Sequence, residues 1–171
     1  MYQLEHRARV MHLIATNFYG GPEKQIVEHL KRIDRESFEP VVGSFIEAGA
    51  ENEILTRAAM EGIPTRGVEM KGLFDVGAYF RLLGALREEE VTLLCMHGYK
   101  ANVMGHFAAA SLKIPTIAFS RGYTAENRKV ALYEWLERRF LGSQNALVAV
   151  SSGQLKKLKG FGISSKKERV V

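Results

Sequence analysis

Short apolar runs alternate with stretches of helical periodicity six times along this 171-residue chain, and that alternation constrains the fold more than any single motif. The runs cover residues 10–15, 41–46, 65–70, 91–96, 116–119 and 146–150. Several are continuously apolar rather than alternating, as strands covered on both faces are, which points to a parallel sheet. The first helical stretch, 22–35, sets Ile26, Val27, Leu30 and Ile33 on one stripe behind Pro22, whose missing N–H costs nothing at a helix start. Helices are also expected over 52–61, capped by Asn52 and stopped by Gly62, and over 75–89, capped by Asp75. The stretch 100–112 carries Gly105, Ala108, Ala109 and Ala110, small enough for close approach to a sheet, and 128–141 and 151–160 complete the series. Six β-α alternations with short connections predict an α/β fold, a doubly wound, Rossmann-like parallel sheet in three α/β/α layers with strand order 3-2-1-4-5-6. The final "ERVV" reads as the start of one more strand.

Composition removes several function classes. At 46% hydrophobic residues the chain can bury a core, and no stretch approaches the ~18 apolar residues of a spanning helix. The opening "MYQLEHRARV" lacks the layout of a signal peptide, so a cytoplasmic location is expected. The single cysteine, Cys95, sits inside "VTLLCM", where a buried thiol is the expected state. The five histidines form no pair at zinc-site spacing, and Asp34 and Asp75 are too far apart for a metal-binding Asp-x-Asp clamp; no metal and no cofactor are expected. From Gln154 onward six basic residues face Glu168 alone, so the whole net charge of +5 sits in the last segment. That distribution, with no aromatic-rich strand for base stacking, argues against nucleic acid. Lys156, Lys157 and Lys159 are either a solvated helix face or a contact with anionic lipid at the inner face of the membrane, worth ~1 kcal/mol per basic residue.

In an open parallel sheet, ligands bind beyond the carboxyl ends of the strands, where helix N-termini point their free N–H groups. The first such loop, "TNFYGG", holds Asn17, Gly20 and Gly21. Pro22, Glu23 and Lys24 follow, so the third glycine of a dinucleotide loop is absent, and so is a phosphate-cradling Walker pattern. Gly20-Gly21 is either a seat for a phosphate or sugar hydroxyl, or a plain strand-to-helix turn. The fourth loop, "HGYKAN", gathers His97, Tyr99, Lys100 and Asn102, a mixed donor and acceptor set that suits a polyhydroxylated ligand. The fifth, "SRGYTAEN", adds Arg121 and Tyr123, with Arg121 able to clamp a phosphate or to pair with Glu126. Ser151 and Ser152 read as helix caps.

The segments "VMHLIATNFYGGPEKQIVEHLKRID", "LLCMHGYKANVMGHFAA", "IPTIAFSRGYTAENRKVALYEWLERRFL" and "ALVAVSSGQLKKL", in this order and spacing, resemble the N-terminal domain of a retaining glycosyltransferase of family 4 with the GT-B fold. The resemblance covers nearly the whole chain. It implies a two-domain enzyme in which residues 1–171 form the acceptor-side half, and a second, nucleotide-sugar-binding domain lies beyond Val171. It places Gly20 and Gly21 against the donor's diphosphate and sugar, where backbone amides stabilise charge on the leaving group. The donor-side basic pair and the two glutamates separated by seven residues would also lie beyond Val171. Within the chain that glutamate spacing recurs five times, Glu126 and Glu134 included, and so carries no information. One departure stands out: where many members have a His-Gly pair after the fifth strand, this chain has Arg121-Gly122. Arginine is a fixed cation that can hold a phosphate but cannot shuttle a proton near neutral pH.

The resulting expectation is a metal-independent glycosyltransferase half that is inactive alone, using a nucleotide-sugar donor and a glycan or lipid-linked acceptor, with no nucleic-acid partner. Gly20, Gly21 and Arg121 are assigned to the donor phosphate or sugar, and Asn17, His97, Tyr99, Lys100, Asn102 and Tyr123 to the acceptor. No catalytic residue is assigned. The alternatives are half of a GT-B-type sugar-nucleotide epimerase and a non-catalytic Rossmann-like binding module.

Overall fold

The computed structural model describes residues 7–47, 50–72, 75–122, 128–165 and 167–171, with backbone alone at 128–130 and 133. Strands and helices alternate from end to end, and the chain divides into two compact units, Met1–Leu93 and Leu94–Val171.

The first unit contains β1 (Ala8–Ile14), α1 (Gly21–Lys31), β2 (Phe38–Glu47), α2 (Glu53–Met60), β3 (Thr65–Met70) and α3 (Val76–Glu88). Its strands are parallel and ordered β3-β2-β1, with Leu13 beside Gly43 and Phe45 beside Val68. The stripe predicted for the first helix is the one it buries: Ile26, Val27 and Leu30 pack with Ile14, Val42, Ile54, Ala58 and Ile63, and Ile33 lies at the edge of the same cluster. The helix stops at Lys31 rather than at residue 35. Asp34 is the reason, because its carboxylate accepts the Glu36 N–H at 2.9 Å and the Ser37 hydroxyl at 2.6 Å, a local turn that competes with further helix. These bonds hold the Asp34 pKa below its ordinary value. Asn52 and Asp75 cap α2 and α3 as expected, accepting from the Leu55 and Ala78 N–H groups, and Gly62 ends α2 with φ +70°.

The second unit contains β4 (Leu93–His97), α4 (Tyr99–Leu112), β5 (Thr116–Ser120), α5 (Arg128–Leu141), β6 (Ala146–Ala149), α6 (Ser152–Gly160) and β7 (Glu168–Val170). Its strands are also parallel, in the order β4-β5-β6-β7, so each unit keeps the expected sequence of strands and "ERVV" does supply a further strand. Ser151 caps α6 by accepting the Gln154 N–H at 3.1 Å. Cys95 is buried, and burial pushes its thiol pKa up to about 12, as fits a packing residue rather than a nucleophile.

The small residues of α4 let it lie directly on β4. A Cβ at Gly105 would stand 2.5 Å from Met96 Sδ and 3.2 Å from Leu94 Cδ2, and Ala108 and Ala109 are fully buried. Glycine in a helix interior ordinarily costs ~1 kcal/mol relative to alanine, so here packing overrides propensity. Gly105→Val is expected to lower unfolding free energy by about 1–3 kcal/mol through overpacking, measured by urea denaturation; an unchanged midpoint would show that α4 can move away from the sheet.

Candidate functional site

At the carboxyl end of β1, the Gly-Gly loop is fixed by hydrogen bonds that mostly come from another part of the unit. Asn52 Nδ2 points at the Thr16 carbonyl (2.9 Å), the Ser44 hydroxyl (3.0 Å) and the Phe45 carbonyl (3.3 Å), with Asn17 Oδ1 at 3.4 Å. Ser44 Oγ in turn donates to the Thr16 carbonyl at 3.1 Å, and the Asn17 carbonyl accepts the Glu53 N–H at 3.1 Å. Thus Asn17, expected to touch the acceptor, helps to join its own loop to the start of α2. Tyr19 turns inward against the apolar cluster, whereas Phe18 is 75% exposed.

Neither glycine of the pair has a positive φ, and Gly20 is the extended N-cap of α1. The Gly20 N–H donates to Glu23 Oε2 at 2.9 Å, and Glu23 is buried. This carboxylate was missed from sequence although its signal is present: an acidic residue three positions after an N-cap reaches back to the cap's own N–H. A Cβ at Gly20 would meet that carboxylate at 3.2 Å, but one at Gly21 would meet nothing within 4 Å beyond its own chain neighbours. Gly21 has no positive φ and no distant packing neighbour, so the one restriction on a side chain there is the ring of Pro22, which crowds a helical residue placed before it.

In the second unit, His97 ends β4 and Arg121 follows β5. His97 is buried and stacked on Phe119, with ring centroids 4.3 Å apart and planes at 22°. Arg121 Nη2 lies 3.4 Å from His97 Nδ1, so the structure brings these two expected residues together. Guanidinium has no acceptor, so Nδ1 must be the acceptor in this contact. Gly98 and Gly122, each following one of the pair, have φ of +83° and +118°, a conformation that only glycine adopts without strain. Tyr99 and Lys100 occupy the first turn of α4, half-buried. Asn102 is placed differently from the other three residues of its loop. Its side chain is 2% exposed and donates through Nδ2 to Glu137 Oε1 of α5, which makes it a tie between helices. Tyr123 and Glu126 lie outside the described residues. Buried Gln154 of α6 donates to Ser120 Oγ at 2.9 Å, joining the end of β5 to the helix after β6.

The sequence from residue 20 to 171 matches a family model described as a glycosyl transferase 4-like domain. No curated protein matches it. Among solved structures, Anabaena Alr3699/HepE in complex with UDP superposes with a TM-score of 0.77 at 15% identity, over 95% of this chain and 43% of that one. UDP-N-acetylglucosamine 2-epimerase from Rickettsia bellii gives 0.66 at 12% identity, over 96% and 44%. Acinetobacter baumannii MurG gives 0.63 at 14% identity, again over 96% and 44%. These likenesses establish the Rossmann-like α/β fold, and the chain spans less than half the length of each of the three.

Asn52→Ala is expected to cost about 1–3 kcal/mol in urea denaturation, since it removes a helix cap and leaves the single Ser44 hydroxyl as the side-chain donor for the Thr16 and Phe45 carbonyls. Asn52→Asp retains the cap oxygen but loses the donor, and should remain clearly destabilised. A near-native Asn52→Asp protein would show that capping accounts for the whole effect.

Proposed function

The chain belongs to the glycosyl transferase 4-like domain family, and from that membership we propose that it is the acceptor-side, N-terminal half of a retaining, metal-independent glycosyltransferase. The proposed reaction moves a sugar from a nucleotide-sugar donor to a glycan or lipid-linked acceptor, with contact at the inner face of a membrane. HepE has been solved with UDP and with UDP-glucose, which supports a donor of this class.

Gly21 carries the reading beyond family membership. A glycine whose Cβ direction is open to everything but the ring of the next residue, at the first turn of a helix beyond a strand's carboxyl end, is suited to close approach by a ligand. At Gly20 the N–H is already engaged by Glu23, and a carboxylate there opposes a diphosphate. We therefore assign this loop to a sugar hydroxyl, with Gly21 as the point of nearest contact. Arg121 is assigned to donor phosphate, a role a fixed cation can fill, and His97, Tyr99 and Lys100 to the acceptor side. Asn17 and Asn102 are assigned to holding these loops in place, and Tyr123 remains assigned to the acceptor.

A longer protein containing this chain is expected to transfer sugar from a nucleotide sugar with turnover unchanged by EDTA, while residues 1–171 alone show none. Gly21→Val should destabilise by about 1–2 kcal/mol through crowding against the Pro22 ring, with nothing else within 4 Å of its Cβ, yet lower transfer by the folded protein at least ~100-fold through displaced substrate. Full activity in that variant would reduce the glycine pair to a turn. The epimerase fold neighbour gives a second reading: epimerised nucleotide sugar formed without an acceptor would select it over transfer.

A further inference from the structure

The carboxylate of Glu23 is half used. Its Oε2 accepts the Gly20 N–H at 2.9 Å, and a Cβ on Gly20 would stand only 3.2 Å from the same oxygen, so the side chain folds back closely over the loop. Glu23 is 8% exposed, yet among the described residues no lysine or arginine pairs with it and its Oε1 has no hydrogen-bond partner. A carboxylate nine-tenths buried and met by one N–H is costly to keep. Capping alone does not call for it, because the amide oxygen of a glutamine closes the same capping box.

The backbone beside this oxygen supplies a donor. The Lys24 N–H is bonded to the Gly20 carbonyl at 3.0 Å, whereas the Gly21 N–H, at the first position of α1, has no partner among the described residues. One turn therefore offers an acceptor and a donor together. A hydroxyl both donates and accepts and can satisfy the two at once, whereas an unprotonated phosphate oxygen only accepts and meets the carboxylate with like charge. The charge of the whole unit acts in the same direction. Residues 1–93 hold 11 lysines and arginines against 15 acidic residues, a net of −4, while residues 94–171 hold 13 against 4, a net of +9. An anion is disfavoured by the field of the first unit and favoured by that of the second.

We propose that Glu23 is a specificity-determining residue that touches the substrate: its Oε1 accepts a hydrogen bond from a hydroxyl of the sugar seated against Gly21, and the oxygen of that hydroxyl accepts the Gly21 N–H. The proposal rests on the assignment of this loop to a sugar hydroxyl and adds the group that selects it. A site that meets a hydroxyl with a buried polar group rejects ligands without one, because the buried group is then left unpaired. Glu23 thus joins two tasks in one side chain, with one oxygen holding the start of α1 and the other reading the ligand.

Amide NMR spectra of this chain are recorded during titration with methyl α-D-glucopyranoside, methyl α-D-galactopyranoside and methyl α-D-mannopyranoside and, separately, with inorganic phosphate at equal ionic strength. The expected result is saturable movement of the Gly20, Gly21 and Lys24 resonances with at least one glycoside and none with phosphate. Glu23→Gln keeps an oxygen for the Gly20 N–H, so its urea midpoint should stay near the parental one while glycoside affinity falls about tenfold. The proposal is overturned by absence of movement at these amides, by saturable movement with phosphate instead of the glycosides, or by parental affinity in Glu23→Gln, which would leave the carboxylate as a cap alone. The transferase reading fails separately. In the longest protein the gene encodes, sugar transfer unaltered by Glu23→Gln would remove this proposal and leave the transferase, whereas glycoside binding that depends on Glu23, without transfer from any nucleotide sugar, would remove the transferase and leave this proposal.

Discussion

The amide of Asn52 is the interaction on which the first candidate loop depends. One side-chain NH2 reaches toward the end of β1 through the Thr16 carbonyl and toward β2 through Ser44 and Phe45, while the same side chain's oxygen caps α2. Strand ends at the carboxyl edge of a parallel sheet carry carbonyl groups that the ladder no longer satisfies, and leaving them buried and unpaired is costly. Asn52 lowers that cost together with the Ser44 hydroxyl, which also donates to Thr16, and the same bonds hold the loop that carries Gly20 and Gly21. In the second unit the Ser120 carbonyl accepts the Val150 N–H at 3.3 Å, and Gln154, in the first turn of α6, donates instead to the Ser120 hydroxyl. In both units a buried amide near a helix start is hydrogen-bonded to the end of a strand or the residues just after it.

Secondary structure was legible because it depends on local pattern. Among the described residues, the apolar runs and caps located each strand and helix to within a few residues, including Asn52, Asp75 and Ser151 as N-caps. Side-chain partners were less legible because they depend on distant positions. Asn102 shares a loop with His97, Tyr99 and Lys100, which favoured a ligand role, but Glu137 lies 35 positions later and draws its side chain between α4 and α5. Asn52 was readable as a cap from its place before an apolar stretch, and nothing local announced that its NH2 would reach Thr16. The charge pattern was obscured for a different reason. Counting the basic excess from Gln154 onward gave a neutral remainder, which concealed two units of opposite sign.

His97 and Arg121 show what the departure from a His-Gly pair changes. A histidine after β5 could exchange a proton with a reacting group, whereas a guanidinium remains a cation throughout the range in which proteins work. In this chain Arg121 Nη2 also stands 3.4 Å from His97 Nδ1, which the guanidinium can only approach as a donor. The imidazole is thus at the end of β4, stacked against Phe119, and the fixed charge follows β5.

Electrostatics then separates the tasks of the two units. The Gly-Gly loop belongs to a unit of net negative charge, and the nearest side chain to its Gly20 amide is a carboxylate. Neutral, hydroxyl-rich ligands are the chemistry such a loop accepts at least cost. Arg121 belongs to the unit of net +9, where an added anion is favoured by the surrounding field as well as by direct contact. An acidic substitution in that unit remote from Arg121 weakens the field there, and salt screens this effect less at a partly buried guanidinium than at an exposed cation.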